Sequence, residues 1–73
     1  MIPELDLHNT RHSEVSSKID QFICKYYDRN ELIIITGNSE DMKDLVISCI
    51  KEYGYDYQIG DFLGVNKGFM RIF

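Results

Sequence analysis

Leu5-Asp6-Leu7-His8, running on into Asn9-Thr10-Arg11, alternates apolar with polar residues and then turns wholly polar. An alternation of period two is the signature of a strand with two different faces. Leu5 and Leu7 point into a core, while Asp6 and His8 share the opposite face. Strand rise alone sets their Cα atoms about 6–7 Å apart. A carboxylate and an imidazole so placed are a usable acid/base or metal-binding pair. A solvated strand face carrying two polar residues has the same pattern, and a tetrapeptide does not choose between them.

Downstream, Asn9-Thr10-Arg11 leads into a helix whose first turn Thr10 or Asn9 is placed to cap and whose Glu14 suits the positive end of the dipole. Val15, Ile19, Phe22, Ile23 and Tyr26 recur at helical spacing, with polar residues between them, and the helix is expected to end near Asp28-Arg29-Asn30. Glu31-Leu32-Ile33-Ile34-Ile35-Thr36 has an unbroken aliphatic run, so it reads as an interior strand with both faces at least partly covered. Gly37-Asn38 makes a turn, and Ser39 caps a second helix with Glu40 and Asp41 in its first turn. Met42, Leu45, Val46, Cys49, Ile50 and Tyr53 form its apolar face, and Gly54 stops it.

Tyr55 to Phe62 reads as a third strand, with Tyr55, Tyr57 and Ile59 on one face and Asp56, Gln58 and Gly60 on the other. That much polarity suits a sheet edge. Gly64-Val65-Asn66-Lys67-Gly68 is a glycine-bounded loop, and Phe69 to Phe73 is a fourth, apolar strand. The order β-α-β-α-β-β makes the first three strands parallel and the last antiparallel. The fold class expected is an α/β two-layer sandwich, a four-stranded mixed sheet with two helices on one face.

Seventy-three residues make one small domain, 1–73. A formal net charge of −4, from 12 acidic and 8 basic residues, argues against a broad basic surface that coats nucleic acid non-specifically. A local site built from a few donors remains compatible with it. No apolar run approaches membrane-spanning length and Met1-Ile2-Pro3-Glu4 does not open a signal peptide, so a cytoplasmic chain without membrane contact is expected. Cys24 and Cys49 lack zinc-ligand spacing and read as reduced, partly buried apolar residues.

In parallel α/β sheets ligands gather beyond the carboxyl ends of the strands. That edge collects His8, then Thr36-Gly37-Asn38-Ser39, then the Gly64–Gly68 loop, together with the N-termini of both helices. Free backbone N–H groups there favour an anion such as phosphate. Arg11 and Lys67 are the cations placed to assist, Gly37 permits close backbone approach, and Ser39 has a hydroxyl to donate.

These residues carry a family resemblance. Leu5-Asp6-Leu7-His8 is similar to the motif that opens the small MutS-related (Smr) domain. Thr36-Gly37 resembles the start of that family's His/Thr-Gly-x-Gly motif, and Gly68-Phe69-Met70-Arg71-Ile72-Phe73 resembles its closing glycine-led strand. The resemblance spans nearly the whole chain. It implies a sandwich like the C-terminal domain of translation initiation factor three, with the last strand between strands two and three. It also implies binding of DNA or RNA and, in many members, nicking endonuclease activity. On that basis Asp6 and His8 would be catalytic, and Thr36 and Gly37 would shape the phosphate site; the strand-edge reading adds Arg11, Asn38, Ser39, Lys67 and Gly68 as nucleic-acid-binding residues.

The chain departs from the family pattern at defined positions. Asn9 stands where glycine usually follows the first motif, Ser39 replaces the second motif glycine, and Asn38 lies where lysine is common. Glu40 and Asp41 add negative charge beside it, which works against strong DNA binding. The expectation is therefore a small phosphodiester-cleaving endonuclease, with a divalent metal as a possible cofactor and a monomer as the expected state. The alternatives are an inactive nucleic-acid-binding module and a protein-interaction domain using Tyr26, Tyr27, Tyr53, Tyr55 and Tyr57, which read first as the rim of the core.

Overall fold

A computed structural model describes residues 2–60 and 68–73. Its elements are β1 (Glu4–Asp6), α1 (His12–Tyr26), β2 (Leu32–Ile35), α2 (Glu40–Glu52), β3 (Tyr57–Ile59) and β4 (Phe69–Ile72). The four strands form one sheet in the order β1-β2-β4-β3. β1 pairs parallel to β2, while β4 pairs antiparallel to both β2 and β3. The last strand thus lies inside the sheet, between the second and third, and runs against the other three. This is the α/β arrangement expected from the chain order.

Register explains why β2 is aliphatic throughout. Leu32 and Ile34 lie opposite Ile72 and Met70 of β4. All four are 0% exposed and pack with Val15, Ile19, Phe22 and Ile23 of α1 and Met42, Val46 and Ile50 of α2. Both helices therefore cover one face of the sheet, where each fully buried aliphatic side chain contributes about 1.5–3 kcal/mol of transfer free energy. Leu7 joins the same core. Ile33 and Ile35 belong to the other face and are only half-buried.

Several local expectations are corrected. Strand pairing stops at Asp6, and His8 and Asn9 form a turn, although Leu7 N still donates to the Ile35 carbonyl at 2.7 Å. Neither Asn9 nor Thr10 caps α1. Arg11 occupies the cap position, two residues beyond Asn9, and makes no side-chain cap hydrogen bond. The α1 helix ends at Tyr26, two residues earlier than Asp28. Ser39 does cap α2, its hydroxyl accepting from Met42 N at 3.2 Å.

The third strand is shorter than read from sequence, and the expected residues Asp61 and Phe62 lie outside the described residues. β3 is an edge strand as expected, yet Tyr57 and Ile59, which pair with the buried Ile72 and Met70, are exposed. The helices pack on β2 and β4, and among the described residues none of the buried core comes from β3. Backbone pairing continues past β3 through reciprocal bonds between Asp56 and Phe73, of 2.8 and 3.1 Å. Tyr53 sits at the C-cap of α2 and is exposed instead of packed, with its hydroxyl donating to Asp20 of α1. Cys24 is exposed, against expectation, because the α1 face that packs is occupied by Val15, Ile19, Phe22 and Ile23. Cys49 is partly buried, and that burial pushes its thiol pKa up.

Candidate functional site

The turn after β1 carries the most organised polar group in the described structure. Asp6 Oδ1 accepts the His8 backbone N–H at 3.1 Å and lies 2.5 Å from His8 Nδ1. An aspartate bonding a backbone N–H two residues on is a turn-forming habit of this residue type. Here it also brings the imidazole onto the carboxylate. The other ring nitrogen, Nε2, lies 3.0 Å from Asn9 Nδ2. An amide nitrogen only donates, so Nε2 is the acceptor and the proton sits on Nδ1, aimed at Asp6. The hydrogen bond from the His8 ring, followed by that from the His8 backbone, holds the Asp6 carboxyl below the ordinary carboxylate range. Both side chains remain half exposed.

The turn after β2 is shaped to meet this pair. Thr36 and Gly37 both donate their backbone N–H groups to the Gly68 carbonyl, at 2.9 and 2.8 Å. Gly37 has φ +70°, and a Cβ placed on it would come within 3.3 Å of the His8 Cβ. Only glycine allows the β2 turn to lie this close to the histidine. Thr36 is buried, and its hydroxyl donates to the Gly37 carbonyl at 2.9 Å. Thr36 therefore braces the turn and does not present its hydroxyl to solvent.

Asp6, His8, Gly37 and Gly68 stand at one end of a depression of about 560 Å³ on the helix-free face of the sheet. Its floor is Ile33, Ile35 and Phe69, and Glu4 stands on its rim. The group lies at the carboxyl ends of β1 and β2, as the sequence placed it, but it opens onto the sheet face and not toward the helix N-termini. The gap between those N-termini is acidic: His12 and Ser13 of α1 face Asp41 and Asp44 of α2 across a second depression. Arg11, Asn38 and Ser39 do not line the sheet-face depression, and Lys67 lies outside the described residues. Of the residues expected at the site, four converge and Thr36 supports one of them from behind.

Two residues escaped sequence reasoning. Phe69 was read only as strand core, because nothing local shows which face of β4 lacks a helix. Lys43 is 4% exposed, with Nζ 3.7 Å from Glu40 Oε1. The i,i+3 spacing to Glu40 was its only signal. Among the described residues, no group of three or more His, Cys, Asp or Glu is arranged to hold a metal ion, and no helix is long and apolar enough to cross a membrane. Of the five tyrosines, Tyr26 and Tyr55 pack against the core and Tyr27 projects into solvent, so they do not form one patch. No protein-family model, curated protein or solved structure matches the chain.

Proposed function

We propose that this chain is a small phosphodiester hydrolase acting on nucleic acid, in keeping with its resemblance to the Smr domain. The observation that supports this reading is the Asp6–His8 pair, held at 2.5 Å beside the close-approach turn at Gly37. Asp6 fixes the ring so that Nδ1 carries the proton and Nε2 carries the lone pair. Nε2 then takes a proton from an attacking water as its oxygen bonds phosphorus, and the leaving oxygen draws its proton from solvent. Asn9 releases Nε2 for this step. Asp6 stabilises the imidazolium that forms, and the Gly37 turn leaves room for the phosphate beside the ring. Among the described residues, Asp6 has no companion ligands arranged to hold a divalent cation.

The test is incubation of the chain with supercoiled plasmid, single-stranded DNA and single-stranded RNA, with and without magnesium or manganese. The expected result is strand cleavage that falls by about 10²–10⁴-fold in His8→Ala, the usual range for loss of a general base. Cleavage that persists unchanged in that variant overturns the assignment. A second reading, a binding module without catalysis, is favoured by one observation: Asn9 Nδ2 already occupies the lone pair that catalysis needs. It predicts salt-sensitive nucleic-acid binding with no cleavage.

A further inference from the structure

We infer that the helix-free face of the sheet is a nucleobase subsite, in which an unpaired base stacks on Phe69 and Ile35 while its phosphate lies at His8. This rests on the phosphodiester reading of the Asp6–His8 pair. Two rows of side chains cross the strands on this face. Asp6, Ile35 and Phe69 are register partners across β1, β2 and β4, and Glu4, Ile33 and Arg71 form the next row. Two strand spacings put Phe69 about 10 Å from Asp6. That is the reach of one nucleotide from its phosphate to the far side of its base.

The chemistry of the depression fits this occupant along its length. Phe69 and the two isoleucines give an apolar floor for a π-face, and base–aromatic stacking is the common way to hold a single strand. Glu4 repels phosphate from the far row, so the phosphate is confined to the His8 and Gly37 end. The Glu4 carboxylate is an acceptor only, which favours a base with an exocyclic amino group (cytosine, adenine or guanine) over thymine. Arg71, the cation of the second row, is tied to Glu31 by its Nε and Nη2, so it leaves Glu4 uncompensated. A base inside a duplex has both faces stacked and cannot lie on Phe69. The subsite therefore takes single strands.

The test reads binding by the intact chain to phosphorothioate-linked probes, which resist cleavage, by amide chemical-shift titration with hexameric oligodeoxycytidylate, oligodeoxythymidylate and a blunt duplex. Shifts at Ile33, Ile35 and Phe69 are expected with the deoxycytidylate, more weakly with the deoxythymidylate, and not with the duplex. Phe69→Leu keeps an apolar side chain and removes the π-face; it is expected to weaken deoxycytidylate binding by at least about fivefold, the lower end for loss of a stacking partner. Glu4→Gln is expected to abolish the preference for cytosine.

Equal binding by a Phe69→Leu protein that melts like its parent overturns the subsite, as does equal binding of the duplex. So do shifts at the same residues with oligolysine but with neither oligonucleotide, which would mark a surface for basic peptides. With ordinary phosphodiester probes, cleavage that needs His8 but ignores Phe69→Leu overturns the subsite and spares the hydrolase. Stacking without any cleavage overturns the hydrolase and spares the subsite.

Discussion

Gly37 and His8 belong to different strand ends, yet a Cβ on Gly37 would sit 3.3 Å from the Cβ of His8. The contact links the two motif segments of the chain through backbone conformation alone. Gly37→Ala adds a left-handed penalty of about 1–2 kcal/mol and pushes the His8 side chain aside. A denaturant melt is expected to show that loss of stability. Any cleavage activity is expected to fall by more than the change in stability accounts for, because His8 moves while Asp6 stays on its strand.

Asn9 sets a second, opposite expectation. Its amide occupies His8 Nε2 at 3.0 Å. A hydrogen bond of this kind contributes about 0.5–1.5 kcal/mol net. Asn9→Ala frees the lone pair and is expected to raise the cleavage rate a few-fold, while loss of the bond lowers the melting temperature by a few degrees. A fall in rate would assign Asn9 a supporting contact to substrate instead.

The Asp6 carboxyl titrates below its ordinary value of 3.8 because His8 bonds the charged form. A depressed pKa contributes stability that is present above the unfolded value and lost as pH falls through the folded one. The pair is therefore intact from neutral pH down to about 4, the ordinary aspartate range, and opens only below it. A carbon-detected titration of Asp6 is expected to show this, and His8→Ala is expected to return the midpoint toward 3.8.

Tyr53 gives the alkaline counterpart. Its hydroxyl donates to Asp20, and that bond together with the nearby carboxylate raises its pKa to about 12. A raised pKa means the contribution is present below the unfolded value near 10 and is lost as pH climbs through about 12. The α1–α2 link should therefore survive ordinary alkaline buffers. A titration of the Tyr53 ring is expected to show its midpoint falling in Asp20→Asn.

The core fixes the scale of stability. Ile34 is 0% exposed and lies opposite Met70 at the centre of the sheet. Ile34→Ala is expected to cost about 2–5 kcal/mol. In a chain of 73 residues, that is a large share of the whole stability. Thermal denaturation followed by circular dichroism would register it.

The architecture was legible in Leu5-Asp6-Leu7-His8 and the segments after it because each period matched one element. The alternation in β1, the helical spacings of Val15 to Tyr26 and Met42 to Ile50, and the Ser39 cap are local signals. They act within a few residues, so the chain states them itself. The proximity of Asp6 to His8 was legible for the same reason, although their contact comes from a turn and not from a longer strand. What lay beyond reach depended on partners distant in sequence. That Gly37 abuts His8 follows from the pairing of β1 with β2, and that Thr36 is bound inward and Phe69 shares a row with Asp6 follows from β4 inserting between β2 and β3. The side of the sheet left bare was likewise a tertiary outcome, since Ile33 and Ile34 are chemically alike and only the packing of two helices on one face distinguishes them. Leu5-Asp6-Leu7-His8 by itself determined a strand ending in a carboxylate and an imidazole; the tertiary fold decided that they look out over an apolar sheet face.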